Sequence, residues 1–268
     1  MSEHGLRGAI FDVDGVLVDS PHEHAWRESL RDLMLGEWAP IRDRSSWSED
    51  AFTPLVYQEV MSGRPRMEGA GAALRYFGIP DDDEHLRTYA DRKQDLLIRL
   101  IDDGRFRAYP DALRFVLAMR AAGVPLAAAS SSKNAFRFLR AVRMDVFARD
   151  EGLDTASIDE GATLSDMFDA DLSGRDFARG KPDPEIFVTA AAELGVPAEA
   201  CVVVEDAVSG IEAAEAGHML SIGVARADDE VGLAEAGADL VVTSLDQVDI
   251  ARLVRGEPVL RRPETDLA

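Results

Sequence analysis

Short apolar runs alternate with helical patterns in the part of the chain after residue 108. Apolar runs typical of buried strands lie at 124–129, 201–204, 221–224 and 239–242, and one more ends at residue 11. Apolar residues three and four positions apart predict helices at 109–122, 134–142, 184–194, 207–216, 229–236 and 246–254. Strands that alternate with helices favour a parallel sheet with right-handed crossover connections. The pattern therefore predicts an α/β fold.

A purely helical pattern separates the first strand from the others. Helices are predicted at 21–35, 50–61, 69–77 and 83–101. We therefore predict two domains: an α/β core of residues 1–19 and 109–268, and a helical domain of residues 20–108 inserted into it. The connections between them are expected at 15–20 and 104–110.

Two further segments lack a regular pattern. Residues 150–180 are acidic and rich in glycine, so we expect a long, partly mobile excursion from the core there. The tail from Gly256 carries two prolines and is expected to be irregular.

The composition excludes several classes of partner. The 268 residues include 50 acidic and 29 basic ones, which gives a formal net charge of −21. Such a surface repels nucleic acid and anionic lipid, so neither is expected as a partner. No apolar stretch approaches the length of a membrane span, and no charged and apolar leader precedes the first strand. We expect a cytoplasmic protein, monomeric or weakly dimeric, whose sole cysteine, Cys201, is a buried apolar residue.

Two aspartates mark the end of the first predicted strand. Asp12 comes directly after the strand, Asp14 follows two residues later, and Gly15 lets the chain turn. Uncompensated carboxylates this close repel each other, so a cation or a proton is needed between them. A turn in which an aspartate caps a helix is the alternative. A calcium-binding loop is excluded, because Val16 and Leu17 stand where such a loop needs an oxygen ligand and a glycine.

Three more polar patches fall at the expected carboxyl ends of strands. The first is 130–134, Ser-Ser-Ser-Lys-Asn, whose hydroxyls either bind an anion or cap a helix. The second is Lys181 between a glycine and a proline, which is either directed at a site or solvated. The third is Glu205 and Asp206, which are typical of a hard-cation site or of a helix N-cap. Ligands bind at the carboxyl ends of parallel strands, so all three patches are candidate site residues.

Lysine is rare in this chain. Among its 29 basic residues, only Lys93, Lys133 and Lys181 are lysines. Arginine is thus the default surface cation, and a retained lysine indicates a need for a compact point charge. Chance is the alternative for any single one of them.

The order of the four patches resembles the motif series of the haloacid dehalogenase superfamily. The string FDVDGVLVDS at 11–20 is similar to its first motif, and the other three patches follow in the family's order. GKPDPEIF at 180–187 and VVEDAVSGI at 203–211 resemble the branch that includes β-phosphoglucomutase and sugar-phosphate phosphatases. The resemblance spans essentially the whole chain. It implies a Rossmann-like, doubly wound parallel sheet with a helical cap domain at 20–108.

The resemblance implies phosphoryl transfer with Mg²⁺ as the cofactor. Asp12 is expected to be the nucleophile, and Asp14 the general acid and then the general base. The acid also argues against dehalogenation, because a halide leaving group needs no proton. Mg²⁺ is expected on the Asp12 carboxylate, the Asp14 carbonyl and Asp206, with Glu205 joined through water. The implied substrate is a small phosphorylated metabolite, above all a sugar phosphate.

The resemblance also implies which groups of the core bind phosphate. Ser130 and the Ser131 amide are expected to bind the phosphoryl oxygens, and Lys181 to pair with their charge. Lys133 and Asn134 match the family's pair just beyond the serines.

In the inserted domain, three residues match substrate-binding positions of the family. His24 stands where the family has a hinge histidine, with an ordinary helix-surface histidine as the alternative. Arg66 matches an arginine that binds the distal phosphate of a sugar substrate in the family. Lys93 falls in a segment similar to one that faces the substrate in the family. Two features depart from the family: the segment 150–180 is longer, and Met67 replaces a polar residue.

The sequence leaves the reaction open. A phosphomutase and a phosphatase share every core residue and differ in whether a sugar hydroxyl or water attacks the phosphorylated aspartate. A general phosphatase of small metabolites without mutase activity is one alternative. A non-catalytic protein that binds a phosphorylated ligand is another.

Overall fold

The computed structural model of the chain describes residues 5–61, 64–227 and 229–260. The chain divides into two compact units, Met1–Ser20 with Arg107–Ala268 (the core unit) and Pro21–Phe106 (the helical unit). The sequence predicted the boundaries between the two domains at 19/20 and 108/109.

None of the helices in the described residues has the length and the apolar composition that a membrane span requires. Part of the predicted irregular tail, 261–268, lies outside the described residues.

A parallel sheet is the centre of the core unit. The strands are β1 (Gly8–Phe11), β2 (Val18–Asp19), β3 (Arg107–Ala108), β4 (Leu126–Ala128), β5 (Ala170–Asp171), β6 (Cys201–Glu205), β7 (Leu220–Val224) and β8 (Leu240–Val242). Six of them pair in the order β5-β4-β1-β6-β7-β8, all parallel. β2 and β3 form a separate antiparallel pair within the two predicted connecting segments. The predicted α/β class is confirmed.

Helices surround these strands in the core unit and make up the helical unit. They are α1 (His22–Leu35), α2 (Ala39–Arg42), α3 (Pro54–Val56), α4 (Arg66–Tyr76), α5 (Asp83–Asp102), α6 (Pro110–Ala121), α7 (Ala135–Ala141), α8 (Met144–Asp150), α9 (Glu185–Glu193), α10 (Val208–Ala216), α11 (Glu230–Glu235) and α12 (Ile250–Leu253). A π-helical turn follows α3 at Tyr57–Met61, and 3₁₀ turns lie at Leu164–Met167, Ala198–Ala200 and Leu245–Gln247.

The two strands at the middle of the sheet are buried along their whole length. β1 and β6 are each a run of buried residues, as expected for strands enclosed within a parallel sheet. The ring of Phe11, the last residue of β1, meets Phe115 and Phe168 edge-on, with centroids 5.9 Å apart in both pairs. Asp12 therefore leaves a strand that is held firmly by packing.

The helical unit has an apolar core of its own, formed mainly by α1, α4 and α5. Trp26 of α1 and Tyr89 of α5 pack edge-on with centroids 4.9 Å apart, and the Tyr89 hydroxyl donates to the Trp26 carbonyl at 3.0 Å. Leu30, Leu33 and Phe77 are buried beside them. A separate core is what an independently packed domain requires.

Several predicted helices have different bounds in the structure. The helix predicted at 50–61 begins only at Pro54, because the Thr53 side chain caps it by accepting from the Val56 amide at 3.2 Å. The helix predicted at 246–254 shrinks to α12, since Asp249 caps the chain at that point by accepting from the Arg252 amide. α2 and α8, each seven residues or shorter, were not predicted.

The excursion predicted at 150–180 contributes to the sheet. Its residues Ala170–Asp171 form β5, an edge strand that pairs with β4. Earlier in the same segment, the Gly161 amide donates at 2.9 Å to the buried carboxylate of Asp145, which also binds Arg143 at 2.7 Å. Hydrogen bonds to the core therefore hold the segment, although its sequence shows no periodic pattern.

We expect Phe138→Ala to lower the free energy of unfolding by about 3–5 kcal/mol, the usual cost of truncating a buried phenylalanine. Phe138 is fully buried in α7, whereas Phe136 in the same helix is 38% exposed. Phe136→Ala is the matched control and should change stability by less than about 1 kcal/mol. Urea unfolding of both variants measures the difference, and equal losses would contradict this account of the α7 packing.

Candidate active site

The carboxyl edge of the sheet brings the predicted core residues together. Asp12 follows β1, and its amide donates to the Val204 carbonyl of β6 at 3.0 Å. Glu205 ends β6, and Ser130 lies two residues after β4. All three are nearly inaccessible to solvent. Neighbouring parallel strands thus place two acids and a hydroxyl at one edge, where α/β sheets bind ligands.

Lys181 joins the two acids. Its Nζ lies 2.6 Å from Asp12 Oδ1 and 2.5 Å from Glu205 Oε1. The same ammonium stands 4.9 Å from the centre of the Phe187 ring. Lysine is rarely buried without a partner, and here it has two carboxylates. The lysine is therefore part of the site rather than a solvated surface residue.

Both oxygens of Glu205 are engaged. While Oε1 meets the lysine, Oε2 accepts from the amides of Asp206 and Ala207 at 2.8 and 2.9 Å. α10 begins only at Val208, and its first turn has no side-chain cap. The alternative that Asp206 is a helix N-cap is therefore wrong. Glu205 instead binds the backbone amides of the two residues that precede α10.

The turn after Asp14 depends on a glycine. Gly15 has a φ of 88°, and a Cβ placed on it would lie 1.9 Å from Asp206 Oδ2. Ser130 Oγ lies 3.5 Å from Asp14 Oδ2, at the outer limit of a hydrogen bond. The turn therefore places Asp206 against the backbone beside Asp14, and Ser130 near the Asp14 side chain.

The site carries more negative charge than Lys181 balances. Burial, together with Glu205 and Asp14, raises the pKa of Asp12 to about 7, although Lys181 opposes the shift. Burial, together with Glu205 and Asp12, raises the pKa of Asp206 well above its usual value. Burial by itself would lower the pKa of Lys181, but Asp12 and Glu205 outweigh it and raise that pKa. A further cation at the site would relieve this excess charge.

Side chains of the site supply only part of the oxygen ligands that a hard cation needs. In the described part of the chain, no three His, Cys, Asp or Glu side chains form a cluster that could hold a metal ion. The predicted ligand set needs only two side chains, Asp12 and Asp206, with the Asp14 carbonyl as the third donor. Three oxygen donors of this kind, completed by water, suit Mg²⁺. With both oxygens engaged, Glu205 is not placed as a direct ligand.

The serine patch is a series of hydroxyl turns rather than a helix cap. The Ser132 amide donates to Ser130 Oγ at 3.2 Å, and the Asn134 amide donates to Ser132 Oγ at 3.3 Å. Asn134 precedes α7 but gives it no side-chain cap, and Ser131 is exposed. Lys133 Nζ donates to the Gly174 carbonyl at 2.9 Å and pairs with Asp176. Lys133 thus binds the end of the excursion.

Of the three predicted residues of the helical unit, Lys93 and Arg66 have described partners within that unit. Lys93 is buried in α5, with Nζ 2.8 Å from His22 Nδ1 and 4.8 Å from the Trp26 ring centre. Arg66 opens α4 and lies 4.0 Å from Asp91, with both side chains exposed. His24 is partly buried in α1, one half-turn from the histidine that meets Lys93. Their substrate roles stay predictions.

Sequence reasoning missed one cluster beside the site. Arg226, just after β7, pairs with Asp111 and contacts the ring of Tyr109. Asp111 lies in the first turn of α6. A charged residue directly after an apolar strand run, the same signal that marked Asp12 and Glu205, could have drawn attention to Arg226.

Comparison with known proteins identifies the family. The family model of haloacid dehalogenase-like hydrolases matches residues 6–218. The chain is 33% identical over 256 residues to a β-phosphoglucomutase of Mycobacterium bovis, with 90% of each chain covered. It is 29% identical to a phosphorylated carbohydrates phosphatase of Thermotoga maritima over 88% of this chain and 94% of that protein. The chain belongs to the haloacid dehalogenase-like hydrolase family.

A solved structure supports the same assignment. An archaeal β-phosphoglucomutase from Pyrococcus aligns with a TM-score of 0.66 and 28% identity, over 93% of this chain and 97% of that one. The predicted superfamily, its β-phosphoglucomutase-like branch and the α/β fold are therefore confirmed. The protein is an enzyme of the phosphohydrolase and phosphomutase class.

We expect Gly210→Ala to destabilise the protein by about 1–3 kcal/mol, as overpacking does. The new Cβ would lie 1.9 Å from Glu205 Oε1, and that side chain cannot move without leaving Lys181 and two amides. Gly232→Ala in α11 is the control, because among the described residues its Cβ would meet only Val208, at 3.6 Å. Removing this helix glycine should stabilise by about 0.5–1 kcal/mol. Urea unfolding that ranks the two variants in the opposite order would contradict this packing of Glu205.

Proposed function

We propose that the protein catalyses Mg²⁺-dependent phosphoryl transfer on a sugar phosphate, through a phosphoryl group carried covalently by Asp12. The observation that carries the proposal is the buried Lys181, which bridges Asp12 and Glu205 at 2.6 and 2.5 Å. An amine in this place fixes the nucleophile and supplies a positive charge beside it. Phosphoryl transfer depends mainly on such alignment and charge neutralisation.

In the first half of the reaction, an Asp12 carboxylate oxygen attacks phosphorus. The new O–P bond forms as the bond from phosphorus to the sugar oxygen breaks. Asp14 gives its proton to the departing oxygen, so the sugar leaves as an alcohol and Asp14 becomes a carboxylate. The Asp14 side chain lies at the same edge of the sheet as Asp12, beside Ser130.

In the second half, an acceptor hydroxyl attacks the phosphorylated Asp12. Asp14 takes the proton from that hydroxyl, the acyl phosphate bond breaks, and Asp12 returns to a carboxylate. Water as acceptor gives a phosphatase, and a sugar hydroxyl gives a mutase. Both outcomes use the same residues, so the acceptor alone distinguishes them.

Three groups are proposed to hold Mg²⁺: the carboxylates of Asp12 and Asp206 and the carbonyl of Asp14. When bound, the ion supplies positive charge that lets an anionic nucleophile approach an anionic phosphoryl group. The raised pKa values of Asp12 and Asp206 support the assignment, because they reflect acid groups in need of a counter-charge. Glu205 supports the site by fixing Lys181 and the amide of Asp206.

Phosphoryl oxygens are proposed to bind the Ser130 hydroxyl, the Ser131 amide and Lys181. Ser130 is 3% exposed, whereas Ser131 is exposed, so the two present donors at different depths of one turn. Asn134, which is buried, and Lys133 complete the patch. Lys133 has to leave Asp176 if it is to meet the substrate.

We propose a β-phosphoglucose-type substrate, because relatives over nearly the whole chain are β-phosphoglucomutases. His24, Arg66 and Lys93 are proposed to recognise the sugar phosphate. A phosphatase is the second candidate. It is favoured by Met67, an apolar and 41% exposed side chain beside Arg66, and by a relative that is a phosphorylated carbohydrates phosphatase.

Phosphorus NMR with β-glucose 1-phosphate, Mg²⁺ and a trace of glucose 1,6-bisphosphate tests the proposal. We expect conversion to glucose 6-phosphate, since the bisphosphate primes Asp12 for transfer to a sugar hydroxyl. Free phosphate alone would instead identify a phosphatase. Chelation of Mg²⁺ and the Asp12→Asn variant should each reduce turnover by more than about 100-fold, because the covalent route is then closed. Full activity of Asp12→Asn would refute the mechanism.

We expect Arg66→Ala to reduce kcat/KM for sugar bisphosphates by at least about tenfold, and for 4-nitrophenyl phosphate by less than about twofold. A guanidinium that binds a second phosphate loses a charge-assisted hydrogen bond only with the larger substrate. Arg64→Ala is the matched control, because Arg64 lies two residues away and donates to the Val60 carbonyl. Steady-state kinetics that show equal losses on both substrates would remove Arg66 from substrate recognition.

A further inference from the structure

Arg226 is a buried arginine that the proposed chemistry does not use. It stands two residues after the end of β7, and its side chain is only 15% exposed. Its Nη1 and Nη2 lie 3.0 and 3.3 Å from the two oxygens of Asp111. A two-point pair of this kind fixes the orientation of the guanidinium as well as its position.

The remaining donors of the same guanidinium reach the catalytic turn. Arg226 Nε donates to the Gly15 carbonyl at 3.3 Å, and Nη2 donates to the Val16 carbonyl at 3.2 Å. These carbonyls belong to the two residues that follow Asp14. One side chain therefore connects α6, through Asp111, with the backbone of the turn that carries Asp14.

Tyr109 holds the turn from a second direction. Its amide donates to the Leu17 carbonyl at 3.0 Å, and its ring lies 3.9 Å from the Arg226 guanidinium carbon. Asp111 is fixed independently, because it also accepts from the Leu245 amide at 2.8 Å. Burial tends to raise the pKa of Asp111, but its bonds to Arg226 and Leu245 lower it overall, so this carboxylate stays ionised at neutral pH.

The position of this turn matters because its tolerance is small. Gly15 leaves no room for a Cβ beside Asp206. A shift of the turn would therefore move the Asp14 side chain and would also change the distance between Gly15 and Asp206. Misplacement of a catalytic group by about 1 Å can cost about 100-fold in rate.

We propose that Arg226 is a positioning residue for Asp14: it fixes the turn at Gly15 and Val16 so that the Asp14 carboxyl can protonate the departing oxygen. The inference rests on the proposed role of Asp14 as general acid. A purely structural role for Arg226 is the competing explanation. The two explanations predict different effects on substrates that do and do not need a proton on the leaving group.

Arg114 provides a matched control for the loss of an arginine ion pair. It lies in the same helix as Asp111 and binds Asp246 at 2.6 and 3.0 Å and Glu151 at 2.6 Å. Asp246 is next to Leu245, the residue that bonds to Asp111. None of the hydrogen bonds described for Arg114 reaches the turn after Asp14.

The experiment compares kcat/KM for an alkyl phosphate, glycerol 2-phosphate, with that for 4-nitrophenyl phosphate. An alkoxide must be protonated as it leaves, whereas 4-nitrophenolate leaves without a proton. We expect Arg226→Gln to lower the alkyl-to-aryl ratio by at least about tenfold, within the range of general-acid effects. Arg114→Gln should leave the ratio within about twofold of the original. Asp14→Asn should lower it at least as much as Arg226→Gln.

Two further variants make the test specific. In an Asp14→Asn background, Arg226→Gln should have no additional effect on the ratio, because the acid it positions is gone. Arg226→Lys retains the charge but not the four hydrogen bonds, so its ratio should fall between those of the original protein and Arg226→Gln. If Arg226→Gln does not fold, as judged by circular dichroism, Arg226→Lys and Asp111→Asn replace it, and each is expected to lower the ratio.

An unchanged ratio in Arg226→Gln, with both rate constants lowered alike, would overturn the inference and leave a structural role. A ratio that falls equally in Arg114→Gln would overturn it as well. If Asp14→Asn leaves the ratio unchanged, the proposed function fails in its general acid, and the inference on Arg226 fails with it. The Asp14 variant therefore shows which of the two claims is wrong.

Discussion

The contact between one buried ammonium and two buried carboxylates organises the core unit. Lys181 lies in the segment before α9, Asp12 follows β1 and Glu205 ends β6, so the contact joins three distant parts of the chain. Removing one member of a buried ion cluster leaves its partners uncompensated, at a cost of about 3–5 kcal/mol. The cluster still carries an excess of acid groups, and this excess suits it to a cation.

Close approach of glycine to carboxylate is the second constraint. Asp206 lies against Gly15, and Glu205 lies against Gly210, so close that a Cβ on either glycine would clash with the carboxylate. The two acids at the end of β6 are thereby held by the backbone of two different segments, Asp206 at Gly15 and Glu205 at Gly210. The polar contacts and these close approaches depend on each other, because movement of Glu205 to make room would release Lys181.

The ion pairs around the Lys181 cluster differ in burial and in the contacts that they make. The Arg226–Asp111 pair is nearly enclosed and reaches backbone carbonyls of the turn after Asp14. Exposed pairs, such as Arg107 with Asp19, contribute little to stability on their own. The same residue types therefore form both enclosed contacts with the catalytic turn and exposed pairs in a chain with a formal net charge of −21.

The sequence by itself determined the order of most strands and helices, because the apolar runs and their spacing reflect burial within single elements. It also identified Asp12, Lys181 and Glu205, since each stands in a short motif at an element boundary. Only the tertiary structure decided that Glu205 meets Lys181, that β5 in the excursion pairs with β4, and that Arg226 reaches Gly15. These facts depend on contacts between residues far apart in the chain, such as Arg226 and Gly15, and no local pattern encodes them.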